Sequence, residues 1–215
     1  MPESLRGYTA INSLGRQLAS DVKLRATPDG ALFSASWLHS LAMEGRVFFA
    51  SDADANDLVL GQTSFADTTP TFLLRVPTST VAMPLFFSLA QMGSVAGGAV
   101  TVTAEIDNAD PYASGGTSET ILSSRTTQPV TPACTLYSNA TVTTGNYGVQ
   151  VDNWLLGPDI SPAEGAPNKV IWTPPVPIFL VGAASFKVYT WAATTGPSWG
   201  WSFAWAEIPT TGTFA

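Results

Sequence analysis

Histidine and cysteine are nearly missing from this 215-residue chain, with His39 and Cys134 the sole examples of each. Charge is sparse too, at 12 % of residues. Most catalysts take their acids, bases, nucleophiles and metal ligands from these residue types. The composition therefore leaves little material for an enzyme, and none is expected. A single cysteine excludes an internal disulfide framework. In its Pro132-Ala133-Cys134-Thr135-Leu136-Tyr137 setting no basic neighbour activates the thiol, so Cys134 reads as a small buried apolar residue. Long apolar runs are lacking as well. The longest, Val81 to Val102, is broken by Pro84, Ser88, Gln91, Gly93, Ser94, Gly97 and Gly98. It reads as two strands joined by a glycine-rich turn, not as a membrane span. No apolar segment follows Arg6, so the N-terminus does not read as a secretory signal.

What the chain has is the material of turns, strands and contact surface: 7 Trp, 11 Phe, 18 Gly and 16 Pro, with 45 % hydrophobic residues. The net charge of −7 is unevenly placed. Arg6, Arg16, Lys23 and Arg25 face only Glu3 and Asp21 in the first 25 residues, and the acidity belongs to the rest. Such a weakly basic arm could touch a neighbour or a genome, but it carries few charges beside the several phosphate contacts of duplex binding.

Residues 1–27 read as an N-terminal arm with a short helix from about Asn12 to Val22, and Pro28-Asp29-Gly30 closes it. Residues 28–215 read as one domain. Residues 31–44 are ambiguous between a strand followed by a turn and a short helix, and 31–37 is read as strand. From Arg46 onward the β pattern is strong. Clear strands are expected at 46–50, 71–76, 81–89, 99–106, 169–173, 178–181, 185–193 and 200–208, with weaker ones near 119–125, 134–143 and 147–156. Val100, Val102, Ala104 and Ile106 alternate with Thr101, Thr103 and Glu105, which predicts one buried and one wet face. No βα alternation and no fixed repeat occurs. The fold expected is all-β, an antiparallel sandwich of about eight to ten strands.

Candidate chemical motifs fail on their spacing. Asp52-Ala53-Asp54-Ala55-Asn56-Asp57 starts like a calcium loop, but Asp57 and Thr63 stand where an EF-hand needs Gly and Glu. Asp107-Asn108-Ala109-Asp110, followed by Pro111, is explained by turn chemistry. His39 has no histidine partner, and neither G-x-S-x-G nor H-E-x-x-H occurs. Gly93 to Gly98 lacks the lysine of a phosphate loop. No cofactor or metal is expected. The tryptophans crowd the C-terminal stretch. Trp201 and Trp205 share one face of an alternating strand with Phe203, which favours a core position. Trp199 follows Gly196-Pro197-Ser198 and reads as exposed in a turn. Trp199, Trp201 and Trp205 are thus the candidate interface or ligand contacts.

The stretch Pro174 to Tyr189, followed by Trp201-Ser202-Phe203-Ala204-Trp205-Ala206-Glu207-Ile208-Pro209, resembles the last two strands of single jelly-roll proteins from icosahedral viruses and phages. There a strand with a small Gly-x-x-Ser turn precedes an aromatic strand carrying W-x-E. Leu73 to Ile106 is similar to the paired long strands of such proteins. The resemblance implies a jelly-roll virion structural protein, a capsid or capsid-decorating subunit. Its partners would be copies of itself, as a trimer or pentamer, and other capsid proteins, and its location the virion. The family has no catalytic set to carry over. The arginine-rich arm of many RNA-virus capsid proteins is absent, which speaks against direct genome packaging. The alternative is a carbohydrate-binding β-sandwich that uses exposed Trp and the Asp52–Asp57 loop. A hydrolase using His39 is a third reading.

Overall fold

The alternation written in the sequence becomes two antiparallel sheets packed face to face. The computed structural model describes residues 37–52, 58–92, 99–143, 148–158, 168–193 and 195–209. These hold one helix, α1 (Trp37–Met43), and fifteen strands. The first eight are β1 (Val47–Ser51), β2 (Val59–Leu60), β3 (Phe72–Val76), β4 (Thr80–Met92), β5 (Ala99–Asp107), β6 (Tyr112–Ser114), β7 (Thr117–Ser118) and β8 (Ile121–Ser123). The rest are β9 (Thr135–Ser138), β10 (Thr141–Val142), β11 (Val149–Pro158), β12 (Lys169–Trp172), β13 (Leu180–Val181), β14 (Ala184–Ala192) and β15 (Ser198–Pro209).

One sheet runs β12-β4-β15-β1-β8, with β13 on β4 and β2 on β15. The other runs β11-β5-β14-β3-β9-β7, and β10 and β6 form a separate ribbon. Eight of these strands pair in nested order. β1 pairs with β15, β3 with β14, β4 with β12 and β5 with β11. First meets last and second meets second-last, so these eight strands form a long folded ribbon rolled into two layers of four, one within each sheet. This is jelly-roll topology. The strand count exceeds the about eight to ten expected, because two- and three-residue strands are too short to leave a periodic signal. The expected link from Val81 to Val102 does join two strands, β4 and β5, but they lie in opposite sheets.

The core is aromatic. Phe87 of β4 stands 5.3 Å from Trp172, 5.5 Å from Phe203 and 5.7 Å from Trp154, measured between ring centroids. Phe72 lies 5.1 Å from both Trp201 and Phe203. Each such ring pair contributes about 0.5–1.5 kcal/mol beyond its buried area. Val100, Val102 and Ala104 of β5 and Phe186 and Val188 of β14 close the core from the other sheet.

Pro84 lies inside the thirteen-residue β4, where a proline removes a ladder donor. It is tolerated for two visible reasons. The β4–β15 register shifts there, with Ala204 opposite Phe86 and Trp205 opposite Pro84, so Leu85 is bulged out. On the other edge of β4, Pro84 falls in the gap between the pairings of β13 at Val81–Ala82 and β12 at Phe87–Ala90.

The arm at 1–27 and most of the 31–37 segment lie outside the described residues. Trp37, the last residue of that segment, is helical rather than extended. Helix α1 ends because Gly45 takes φ +77°, which lets the Gly45 N–H donate to the Ala42 carbonyl and the Arg46 N–H to the Leu41 carbonyl. That is a Schellman cap.

Candidate functional site

The three candidate tryptophans lie on one strand, β15, and all point into the sandwich. Trp199 and Trp205 are fully buried and Trp201 nearly so. For Trp199 this corrects the expectation of an exposed turn residue. Strand β15 begins at Ser198, and Trp199 pairs with Gln91 of β4 and Val59 of β2, which covers it. A ring with no exposed surface cannot stack on a sugar. Its Nε1 has no acceptor among the described residues, nor does that of Trp172.

Trp205 ends in a polar anchor. Its indole N–H donates to Glu207 Oε1 at 3.1 Å, and Glu207 also accepts the N–H groups of Ala133 (2.8 Å) and Cys134 (2.9 Å). A carboxylate two residues further along β15 therefore ties the loop before β9 to the opposite sheet. Cys134 is buried beside it. Burial above all, then the Glu207 charge, pushes its thiol pKa far up, so it is inert.

The outward sides of the two sheets differ in chemistry. On the β12-β4-β15-β1-β8 sheet, register and alternation put Ser198, Gly200, Ser202 and Ala204 outward along β15. Phe49, Leu60, Met92, Leu122, Ile171 and Val181 stand on that side and are exposed. Lys169 is the one charged residue there among the described paired residues. Toward Val81 and Met83 the same side is buried.

On the outward side of the other sheet, the expected wet face of β5 is instead covered: Thr103 and Asp107 are buried and Glu105 nearly so. The cause is a buried ionic cluster. Lys187 of β14 pairs in register with Glu105, and Ser185 with Asp107. Lys187 Nζ lies 3.3 Å from Asp107 Oδ2 and 3.6 Å from Glu105 Oε2, with 2 % of its side chain exposed. Gly148 presses on the cluster, and a Cβ there would meet Glu105 Oε2 at 2.7 Å and Lys187 Nζ at 3.0 Å. Burial raises the Glu105 carboxyl pKa, and Lys187 opposes that only in part. Nearby, Tyr189 donates its hydroxyl to the Asp67 carbonyl at 2.8 Å and packs on Phe65.

A second pair lies on the same side. Arg75 is bidentate to Asp110 and stacks over Tyr112 at 4.4 Å. Burial pushes the Asp110 carboxyl up, but the Arg75 hydrogen bond, the Tyr112 N–H and the Arg75 charge together hold it below the usual range. The expected turn at Asp107–Asp110 is present, as Asp107 Oδ1 accepts the Ala109 N–H. Both its carboxylates have a second role in these ion pairs. Lys187 was not singled out by the sequence, although its signal exists: it is the one charge in the strand Ala184–Ala192.

His39 sits exposed on α1, well before the strands of the core. Residues 53–57 of the Asp52–Asp57 loop, and the glycine turn at 93–98, lie outside the described residues. Among the described residues no group of His, Cys, Asp and Glu could hold a metal ion. No protein-family model matches the chain, and no curated protein or solved structure matches it.

Proposed function

We propose that the chain is a self-assembling structural subunit of a virion, a capsid or capsid-decorating protein built on one jelly roll. The observation that carries this reading is the outward side of the β12-β4-β15-β1-β8 sheet. Among the described residues it combines exposed apolar side chains at both flanks with a central row of Ser198, Gly200 and Ser202, and its paired positions carry a single charge, Lys169. A surface with so little charge and so many apolar groups suits burial against another copy. Repeated by closed symmetry, one such contact builds a trimer or pentamer. The aromatic interior supports the same reading. Rings fill the space between the sheets, so the work of the fold is done on its outside.

The carbohydrate-binding alternative loses its main support, because Trp199, Trp201 and Trp205 are all committed to the core. The fold alone does not decide between these classes, since viral shells, lectins and cupins share jelly rolls.

Size-exclusion chromatography with light scattering over a wide concentration range tests the proposal. Concentration-dependent trimers, pentamers or larger closed assemblies are expected. A strict monomer at every concentration overturns it.

A further inference from the structure

We propose that Lys187 and Asp107 are joined autocatalytically by an intramolecular amide bond, with Glu105 carrying the proton. The proposal goes beyond the assembly role and does not depend on it.

Three observations converge. The first is position. Strands β14 and β5 are hydrogen-bonded neighbours, and their register sets Lys187 opposite Glu105 and diagonal to Asp107. Nζ rests 3.3 Å from Oδ2 of Asp107, one bond away from the carboxyl carbon that it would attack. Both partners are held by the sheet, so the ordering entropy of a bimolecular condensation has already been spent in folding.

The second is charge. Two carboxylates and one ammonium are packed together with 2 % of the Lys187 side chain, 2 % of that of Asp107 and 17 % of that of Glu105 exposed. Taking such groups out of water is expensive, and that cost falls on each group that stays charged. Condensation removes two of the three charges. The third is the acid itself. Glu105 reaches the same nitrogen, and its buried carboxyl binds a proton more readily than an exposed one.

Glu105 accepts one proton from the Lys187 ammonium. The neutral amine attacks the Asp107 carboxyl carbon, and the N–C bond forms. A second nitrogen proton and the one held by Glu105 leave with one Asp107 oxygen as water. An amide N–H remains, and Glu105 returns to its starting state. No oxidant, metal or further reactant takes part. The product staples β14 to β5 within one sheet, in the row against which Gly148 packs.

Intact-mass spectrometry of the full chain, followed by a tryptic map, tests this. The expected chain is lighter than its sequence by one water. Trypsin does not cut after Lys187, and a branched peptide joins the Lys187 and Asp107 segments. Glu105→Gln, with a native near-UV circular dichroism spectrum, is expected to show the full mass, and so is Asp107→Ser. Full mass in the wild-type chain after prolonged incubation at mildly acidic and neutral pH, with cleavage after Lys187, overturns the proposal. That result does not depend on any variant folding. A mass deficit that persists in Glu105→Gln overturns the role given to Glu105.

Discussion

Glu207 receives the indole N–H of Trp205, two residues before it on the same face of β15. The same carboxylate holds two backbone N–H groups of the loop that leads into β9. A W-x-E sequence at the end of a strand therefore has a structural meaning. The ring fills the core, and the acid caps both the ring and the facing loop. Glu207→Ala leaves the Trp205 and Cys134 donors buried without a partner. At about 1–3 kcal/mol for each of these two unsatisfied buried groups, the loss of folding free energy is expected to be about 2–6 kcal/mol. Urea unfolding followed by tryptophan fluorescence measures it. Glu207→Gln keeps an acceptor and is expected to lose less.

Trp199 separates a contact role from a packing role. Its ring is buried against β2 and β4, while its N–H lacks an acceptor among the described residues. Trp199→Ala is expected to destabilise the fold by about 3–5 kcal/mol. Trp199→Phe keeps an aromatic ring, removes an unsatisfied donor and leaves a smaller cavity, so its cost is expected to be well below that of Trp199→Ala. A glycan-contact residue gives a different pattern, in which Trp199→Ala has native stability and lost binding. Chemical denaturation of both variants beside a glycan array distinguishes the two.

Periodicity made most of the roll legible. The alternating runs around Phe72–Val76, Ala99–Asp107, Ala184–Ala192 and Ser198–Pro209 were readable because each has one face in a core. Which strands sit side by side was not readable, since nested pairing is a property of the whole chain. Trp199 shows a signal overridden by another. The period of two that groups Trp201, Phe203 and Trp205 extends back to Trp199, but Gly196-Pro197-Ser198 also marks a turn, and the turn ends one residue earlier than it suggests. The face of β5 misled for a different reason. Alternation tells polar from apolar, and Lys187 pairs with the polar side so that it too is buried. Trp199, Trp201 and Trp205 belong to the core, and the ionic cluster leaves no local pattern because Lys187 lies 80 residues from Asp107.

Leu122 and Ile171 sit on the two edge strands, β8 and β12, of the sheet whose outward side carries little charge, 66 % and 61 % exposed. Each already faces water in the single chain. Leu122→Lys and Ile171→Lys are therefore expected to change folding stability by no more than about 0.5 kcal/mol. Buried in a contact between copies, an unpaired ammonium is costly. Light scattering of the double variant is expected to show monomer at concentrations where the parent chain assembles. Unchanged assembly removes this face from the interface.

The two perturbed carboxyls predict where stability peaks with pH. Glu105 has its folded pKa raised above 4.5. Its contribution is complete below the unfolded value and is lost as pH rises through the folded one. Asp110 has its folded pKa lowered below 3.8 by Arg75. Its contribution is complete above the unfolded value and is lost as pH falls through the folded one. From these two groups, the melting temperature is expected to be highest at mildly acidic pH, near the interval from 3.8 to 4.5, and to fall on both sides. Glu105→Gln is expected to flatten the neutral limb, and Asp110→Asn the acidic limb. The sign for Glu105 survives an amide between Lys187 and Asp107, which removes both the lysine charge that holds the Glu105 pKa down and a weaker opposing charge on Asp107. A melting temperature that climbs steadily from pH 4.5 to neutrality contradicts the assignment of the neutral limb to Glu105.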